Sequence, residues 1–213
     1  METGINSLIV VVVLLNFLAL GSSQIGIVIR ISAIQGFVLG LMPLLMEGVE
    51  EIHIPLLSLA IMAIKGLLIP FLLFKAMRDV KIRREVEPLL GFIPSMFLGA
   101  LGTILGFVFA SHLPLLAIHK EYLILPGSFS TIVTGFIMLT TRHKAITQVV
   151  GFLILENGIF IFGLLILKTM PFLVEVGVLL DLLVCIFVLG IILNHIQKAF
   201  SSLDSNKLTS LKD

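Results

Sequence analysis

Thr147-Gln148-Val149-Val150-Gly151-Phe152-Leu153-Ile154-Leu155-Glu156-Asn157-Gly158-Ile159-Phe160-Ile161-Phe162 is apolar on both sides of a single carboxylate for more than a helical turn. A run of this kind reads as a helix in lipid. The carboxylate of Glu156 then faces the low dielectric of a bilayer. Holding it charged at the membrane centre costs roughly 2.5–3.5 kcal/mol on insertion scales. It needs a partner, a proton or water. Lys65 and Asp181, each inside another apolar run, pose the same problem.

The whole chain agrees with that stretch. Of its 213 residues 58% are hydrophobic and 13% charged, and the mean hydropathy is +1.19. A soluble globular surface cannot be built from that balance, so the chain reads as an integral membrane protein. The net charge of +1 gives no sign of nucleic-acid binding. The single cysteine, Cys185, lies in an apolar run and reads as a packing residue, which excludes a disulfide framework and a thiolate metal cluster. Met1-Glu2-Thr3 carries no basic residue ahead of the first apolar stretch, so that stretch is expected to be a retained helix, not a cleaved signal. No soluble extension is expected to house a flavin, a nucleotide or an iron–sulfur cluster.

A bilayer core of about 30 Å takes roughly 20 apolar residues per helix. On that basis the fold class is an all-α polytopic membrane bundle of seven spans. They fall at about 5–21, 28–46, 55–77, 89–110, 125–141, 144–167 and 172–197. Gly21-Ser22-Ser23 closes the first. Pro55 suits the first turn of the third, Pro126-Gly127-Ser128 opens the fifth and Pro171 the seventh. Residues 1–122 form a four-helix region, 123–200 a three-helix region and 201–213 a polar tail. Lys75, Arg78, Lys81, Arg83 and Arg84 mark one connection as cytoplasmic, and Arg142 with Lys144 mark another; Arg30 and Lys198 are weaker markers. The opposite loops carry Glu47, Glu50 and Glu51, or Lys120 with Glu121. The predicted topology is N-terminus outside and C-terminus cytoplasmic. Two stripes of small residues, Ser95/Gly99/Gly102/Gly106/Ala110 and Ala33/Gly36/Gly40, each share a helix face and predict close helix packing.

Helical rise places the ionisable groups in depth. Glu156 lies about 18 Å beyond Lys144, and Asp181 about 21 Å before His195. Lys65 is also central, between Gly66 and Pro70, where proline removes a backbone donor and crowds the Gly66 carbonyl. Glu175 is shallower. Burial penalises the charged form of carboxyl and ammonium groups alike, so neighbours of this kind can exchange protons. The candidate proton or ion pathway is therefore Glu156, Asp181, Lys65 and Glu175. The competing reading is a static pair, or a protonated carboxyl, that holds helices together. Asn157, Asn16 and Gln35 read as packing amides. Glu47, Glu50, Glu51 and His53 read as a solvated loop, and His112, His119, His143 and His195 as anchors near helix ends. No phosphate loop, nucleophile triad or metal-ligand spacing appears, so the chain has no catalytic centre legible in it.

The stretches Arg142-His143-Lys144, Gly151 to Phe160 and Glu175-Val176-Gly177-Val178-Leu179-Leu180-Asp181-Leu182-Leu183-Val184 resemble hydrogenase-4 component E, as do Ile64 to Pro70 and Ile29 to Gly36. That family comprises membrane subunits of group 4 nickel–iron hydrogenases and formate hydrogenlyase-type complexes. The last three spans further resemble the K subunit of respiratory complex I and the C subunit of multisubunit cation/proton antiporters. Glu156 matches the first intramembrane carboxylate of that three-helix fold. Asp181 matches the second, where the K subunit has a glutamate, with Glu175 as the competing match. The resemblance implies a subunit of a modular complex in a bacterial or archaeal cytoplasmic membrane. Its partners would be antiporter-like membrane subunits and hydrophilic hydrogenase subunits. The chain itself would hold no cofactor; nickel–iron and iron–sulfur centres would lie in those partners. A subunit of a cation/proton antiporter without redox partners, and a structural adaptor with no ion path, are the alternative expectations.

Overall fold

The computed structural model describes residues 2–47, 53–80, 88–112, 123–164 and 190. These residues form an all-helical bundle with six helices long and apolar enough to cross a membrane. The first two are α1 (Glu2–Gly21) and α2 (Ile25–Glu47). The third is built from α3 (His53–Ile61), a π-helical segment (Met62–Leu68) and α4 (Ile69–Val80). The remaining three are α5 (Phe92–His112), α6 (Ile124–Thr141) and α7 (Ala145–Gly163). These match the first six expected spans, with α1 ending at Gly21 and Pro55 in the first turn of α3, as the breakers require. The seventh expected span, with Glu175, Asp181, Cys185 and His195, lies outside the described residues, as does the 201–213 tail.

The third span departs from a plain α-helix, and Pro70 supplies the reason. It has no N–H for the Gly66 carbonyl, and its ring crowds that carbonyl. The turn ahead of it is widened, with the Ile69 N–H bonded to the Ile64 carbonyl, five residues back. Wide turns of this type shift the azimuth of every side chain upstream of them and recur at functional positions. Lys65 and Gly66 are the buried residues of this segment.

α6 and α7 form a tightly packed antiparallel hairpin. Gly158 makes a close approach possible: a Cβ there would stand 2.6 Å from the Ile132 nitrogen and 2.9 Å from the Ser128 carbonyl oxygen. The small stripe on α5 faces inward as expected, with Ser95, Gly99, Gly102 and Gly106 buried. Gly99 meets Phe17 and Leu20 of α1, and Gly102 meets Val133 of α6. The other side of α5 presents Ile93, Phe97, Leu101 and Ile104 outward, as a lipid-facing helix must.

Arg142, a basic residue of the connection between α6 and α7, folds back onto the bundle. It is only 1% exposed. Its Nη2 donates to the Leu20 carbonyl at 2.8 Å, and its guanidinium lies 4.6 Å from the centroid of Phe92. The carbonyl is one of the orphans at the end of α1. The Leu89 N–H in turn donates to the Thr141 carbonyl at 2.8 Å. One arginine thus ties the ends of α1 and α6 to the start of α5. At the opposite face the Leu123 N–H donates to Asn6 Oδ1 at 2.9 Å.

Candidate functional site

α7 carries Glu156 and Asn157 side by side, and both are buried. The π segment turns Lys65 toward them. Lys65 Nζ stands 3.0 Å from Glu156 Oε1, with side chains only 6% and 3% exposed. Lys65 Nζ also donates to Asn157 Oδ1 at 3.5 Å. A charged carboxylate in the middle of an apolar helix thus has a cation as its neighbour. At 3.0 Å two unit charges attract by roughly 5–6 kcal/mol at an effective dielectric of about 20. That attraction offsets a desolvation cost of several kcal/mol per ion.

The pair is one end of a longer string. Asn157 Nδ2 donates to Gln35 Oε1 of α2 at 3.2 Å. Gln35 Nε2 donates to Asn16 Oδ1 of α1 at 2.8 Å. Asn16 Nδ2 donates to Thr131 Oγ1 of α6 at 2.9 Å. Thr131 Oγ1 closes the string by donating to the Gly127 carbonyl at 2.7 Å. Asn16, Gln35, Thr131 and Asn157 are all buried. In lipid an unsatisfied polar group costs several kcal/mol, and each amide here is answered from another helix.

These residues form a polar layer between two apolar clusters. On one side lie Leu15, Ala19 and Leu20 of α1, Val28 and Ile29 of α2, Leu73 of α4 and Val150 and Ile154 of α7. On the other lie Ile5, Ile9 and Val12 of α1, Leu39 and Met42 of α2, Ile61 of α3 and Ile161 of α7. Along α2, the third span, α6 and α7 the polar residue falls between the two sets, and on α1 Asn16 follows Leu15, the first residue of the former set. Within the layer, a proton passing from the Lys65 ammonium to the Glu156 carboxylate gives a neutral amine and a neutral acid. Net charge is conserved, and the 3.0 Å separation is within hydrogen-bond reach.

Of the expected site residues, Lys65 and Glu156 are brought into contact, while Asp181 and Glu175 lie outside the described residues. Asn157, Asn16 and Gln35, read from sequence as packing amides, join the string. Thr131 carries no sequence signal, since a lone threonine can bond within its own helix. His112 sits at the exposed end of α5, its Nδ1 2.8 Å from the Val108 carbonyl. His143 is exposed. Among the described residues no cluster of His, Cys, Asp or Glu gathers to hold a metal; Glu50, Glu51, His119 and His195 lie outside them.

Comparison with known proteins gives similarity at two scales. Over 204 residues the chain is 29% identical to the uncharacterized protein Rv0085 of Mycobacterium tuberculosis, covering 94% of this chain and 92% of that one. Over 78 residues it is 28% identical to hydrogenase-4 component E of Escherichia coli, covering 37% of this chain and 36% of that protein. The component of the same name from Shigella flexneri matches to the same extent. The chain thus aligns with about a third of the length of the hydrogenase relatives. No family model matches it, and no solved structure matches it.

Proposed function

We propose that this protein is a membrane subunit of a multisubunit hydrogenase complex of the hydrogenase-4 kind, in which the Lys65–Glu156 pair takes up and hands on protons during turnover. The observation that carries the reading is the buried ion pair at 3.0 Å, set in a polar layer inside apolar helices. Ionisable groups at that depth are costly, and function is the default reason for retaining them. The 78-residue similarity to hydrogenase-4 component E supports the choice of complex. The apolar clusters above and below the layer favour passage of charge sideways, to neighbouring subunits, over passage straight across this one.

In this reading antiporter-like membrane subunits adjoin the chain in a bacterial or archaeal cytoplasmic membrane. Hydrophilic subunits carry the nickel–iron and iron–sulfur centres. The C-terminus is cytoplasmic, and Asp181 and Glu175 on a seventh span extend the path beyond Glu156. The test has two parts. Mass spectrometry of the intact assembly purified from native membranes should find hydrogenase subunits; antiporter subunits alone would replace this reading with an antiporter one. Glu156→Gln should then leave the assembly intact and abolish proton movement coupled to turnover. Movement at the native rate, in the intact Glu156→Gln assembly, would reduce the pair to an adaptor's fastening.

A further inference from the structure

The string of side chains has a direction, and its two ends dictate it. The Gly127 carbonyl can only accept, so the Thr131 hydroxyl must give it its hydrogen, at 2.7 Å. Thr131 Oγ1 is then left to accept, and the Asn16 side chain must turn its NH₂ toward it. Asn16 Oδ1 consequently faces Gln35, which meets it with Nε2. Gln35 Oε1 faces Asn157, which meets it with Nδ2. Asn157 is left with one choice, its oxygen toward Lys65. The other end makes the same demand, because an ammonium group has donors only. Every amide is oriented head to tail between a terminus that only accepts and a terminus that only donates.

We infer that Gln35 and Asn16 are positioning residues: they hold the Asn157 amide with its oxygen toward Lys65, giving the ammonium a second acceptor beside Glu156. The amides are not a proton wire. An amide NH₂ that gives up a hydrogen must regain one through a high-energy tautomer, and the string stops at a backbone carbonyl. Proton exchange stays between Lys65 and Glu156, while the string keeps Lys65 seated when the carboxyl is neutral. Its bearing on function rests on the proton-exchange reading above. The geometry does not, and the following experiment reads the geometry alone.

The experiment is magic-angle-spinning NMR of the full-length protein in lipid bilayers, with labelled asparagine, glutamine and lysine. In the wild type Asn157 Nδ2 should contact Gln35 Cδ and show little contact with Lys65 Cε. Gln35→Met removes the acceptor at similar size, and the flipped amide, with Nδ2 toward Lys65, should rise about tenfold, the change that loss of one buried hydrogen bond brings. Thr131→Val, three hydrogen bonds away from Asn157, should produce a smaller rise in the same signal, and Thr131→Ser should restore the wild-type pattern. No rise in Gln35→Met overturns the inference, as does a Thr131→Ser spectrum equal to that of Thr131→Val. Should Gln35→Met fail to fold, Thr131→Val decides: an unchanged Asn157 orientation there sinks it.

Discussion

Replacing Glu156 by glutamine removes one charge of the Lys65–Glu156 pair and leaves the other in the bundle, 6% exposed. Breaking a buried pair in this way typically costs about 3–5 kcal/mol, because the surviving ion keeps its desolvation cost. The distance here gives a similar figure, roughly 5–6 kcal/mol of attraction at an effective dielectric of about 20. Lys65→Met should destabilise by a comparable amount. The double variant should recover most of the loss, since neither charge then remains. A double-mutant cycle, read from unfolding of the protein in mixed micelles, should therefore give a coupling energy of at least about 2 kcal/mol. That threshold separates an ion pair from an ordinary interhelical hydrogen bond in a membrane protein, which averages about 0.6 kcal/mol. Additivity of the two single variants to within about 0.5 kcal/mol would refute the reasoning.

Three further outcomes are expected. Gly36→Ala places a Cβ 2.6 Å from the Lys65 carbonyl carbon and should cost about 1–3 kcal/mol by overpacking; Gly4→Ala, with its nearest neighbour at 3.7 Å, should cost little, both read by thermal denaturation. Arg142→Lys keeps the charge but loses the planar fork over Phe92 and onto Leu20. It should lower stability by about 1–3 kcal/mol, and hydrogen exchange at the end of α1 should quicken. Pro70→Ala returns an N–H to the third span, and the Lys65–Glu156 coupling energy in the same cycle should fall as the widened turn is relieved.

The spans were legible because bilayer thickness sets helix length and Gly and Pro punctuate it; α1 stops at Gly21 and α3 starts beside Pro55, where the chain announces them. Depth was legible too, so Glu156 and Lys65 stood out singly. What a single chain does not encode visibly is azimuth and stagger between helices. Counting from helix ends, Gln35 lies ten residues into α2 and Asn16 five residues before the end of α1, about 15 Å and 8 Å deep. Those counts argue against contact, yet the two side chains bond at 2.8 Å. The burial of Arg142 was hidden for a related reason. A basic residue after a span signals the cytoplasmic side, but says nothing of whether its side chain stays in water or folds back onto Leu20 and Phe92.

At the Ala33/Gly36/Gly40 stripe, packing and chemistry coincide. Gly36 has no Cβ, so the backbone of α2 lies directly against Lys65 and Gly66. That approach brings Gln35, the preceding residue, into the layer that Lys65 joins from the third span through Asn157. The widened turn before Pro70 acts on the same contact from the other helix. An unwidened α register would swing the lysine by about 100°, the angle of one residue, away from Glu156. Two features that each look structural, a small-residue stripe and a proline, are therefore the means by which a lysine and a glutamate from distant parts of the chain meet inside lipid. Substitutions at Gly36 or Pro70 should consequently perturb the ion pair without touching either of its members.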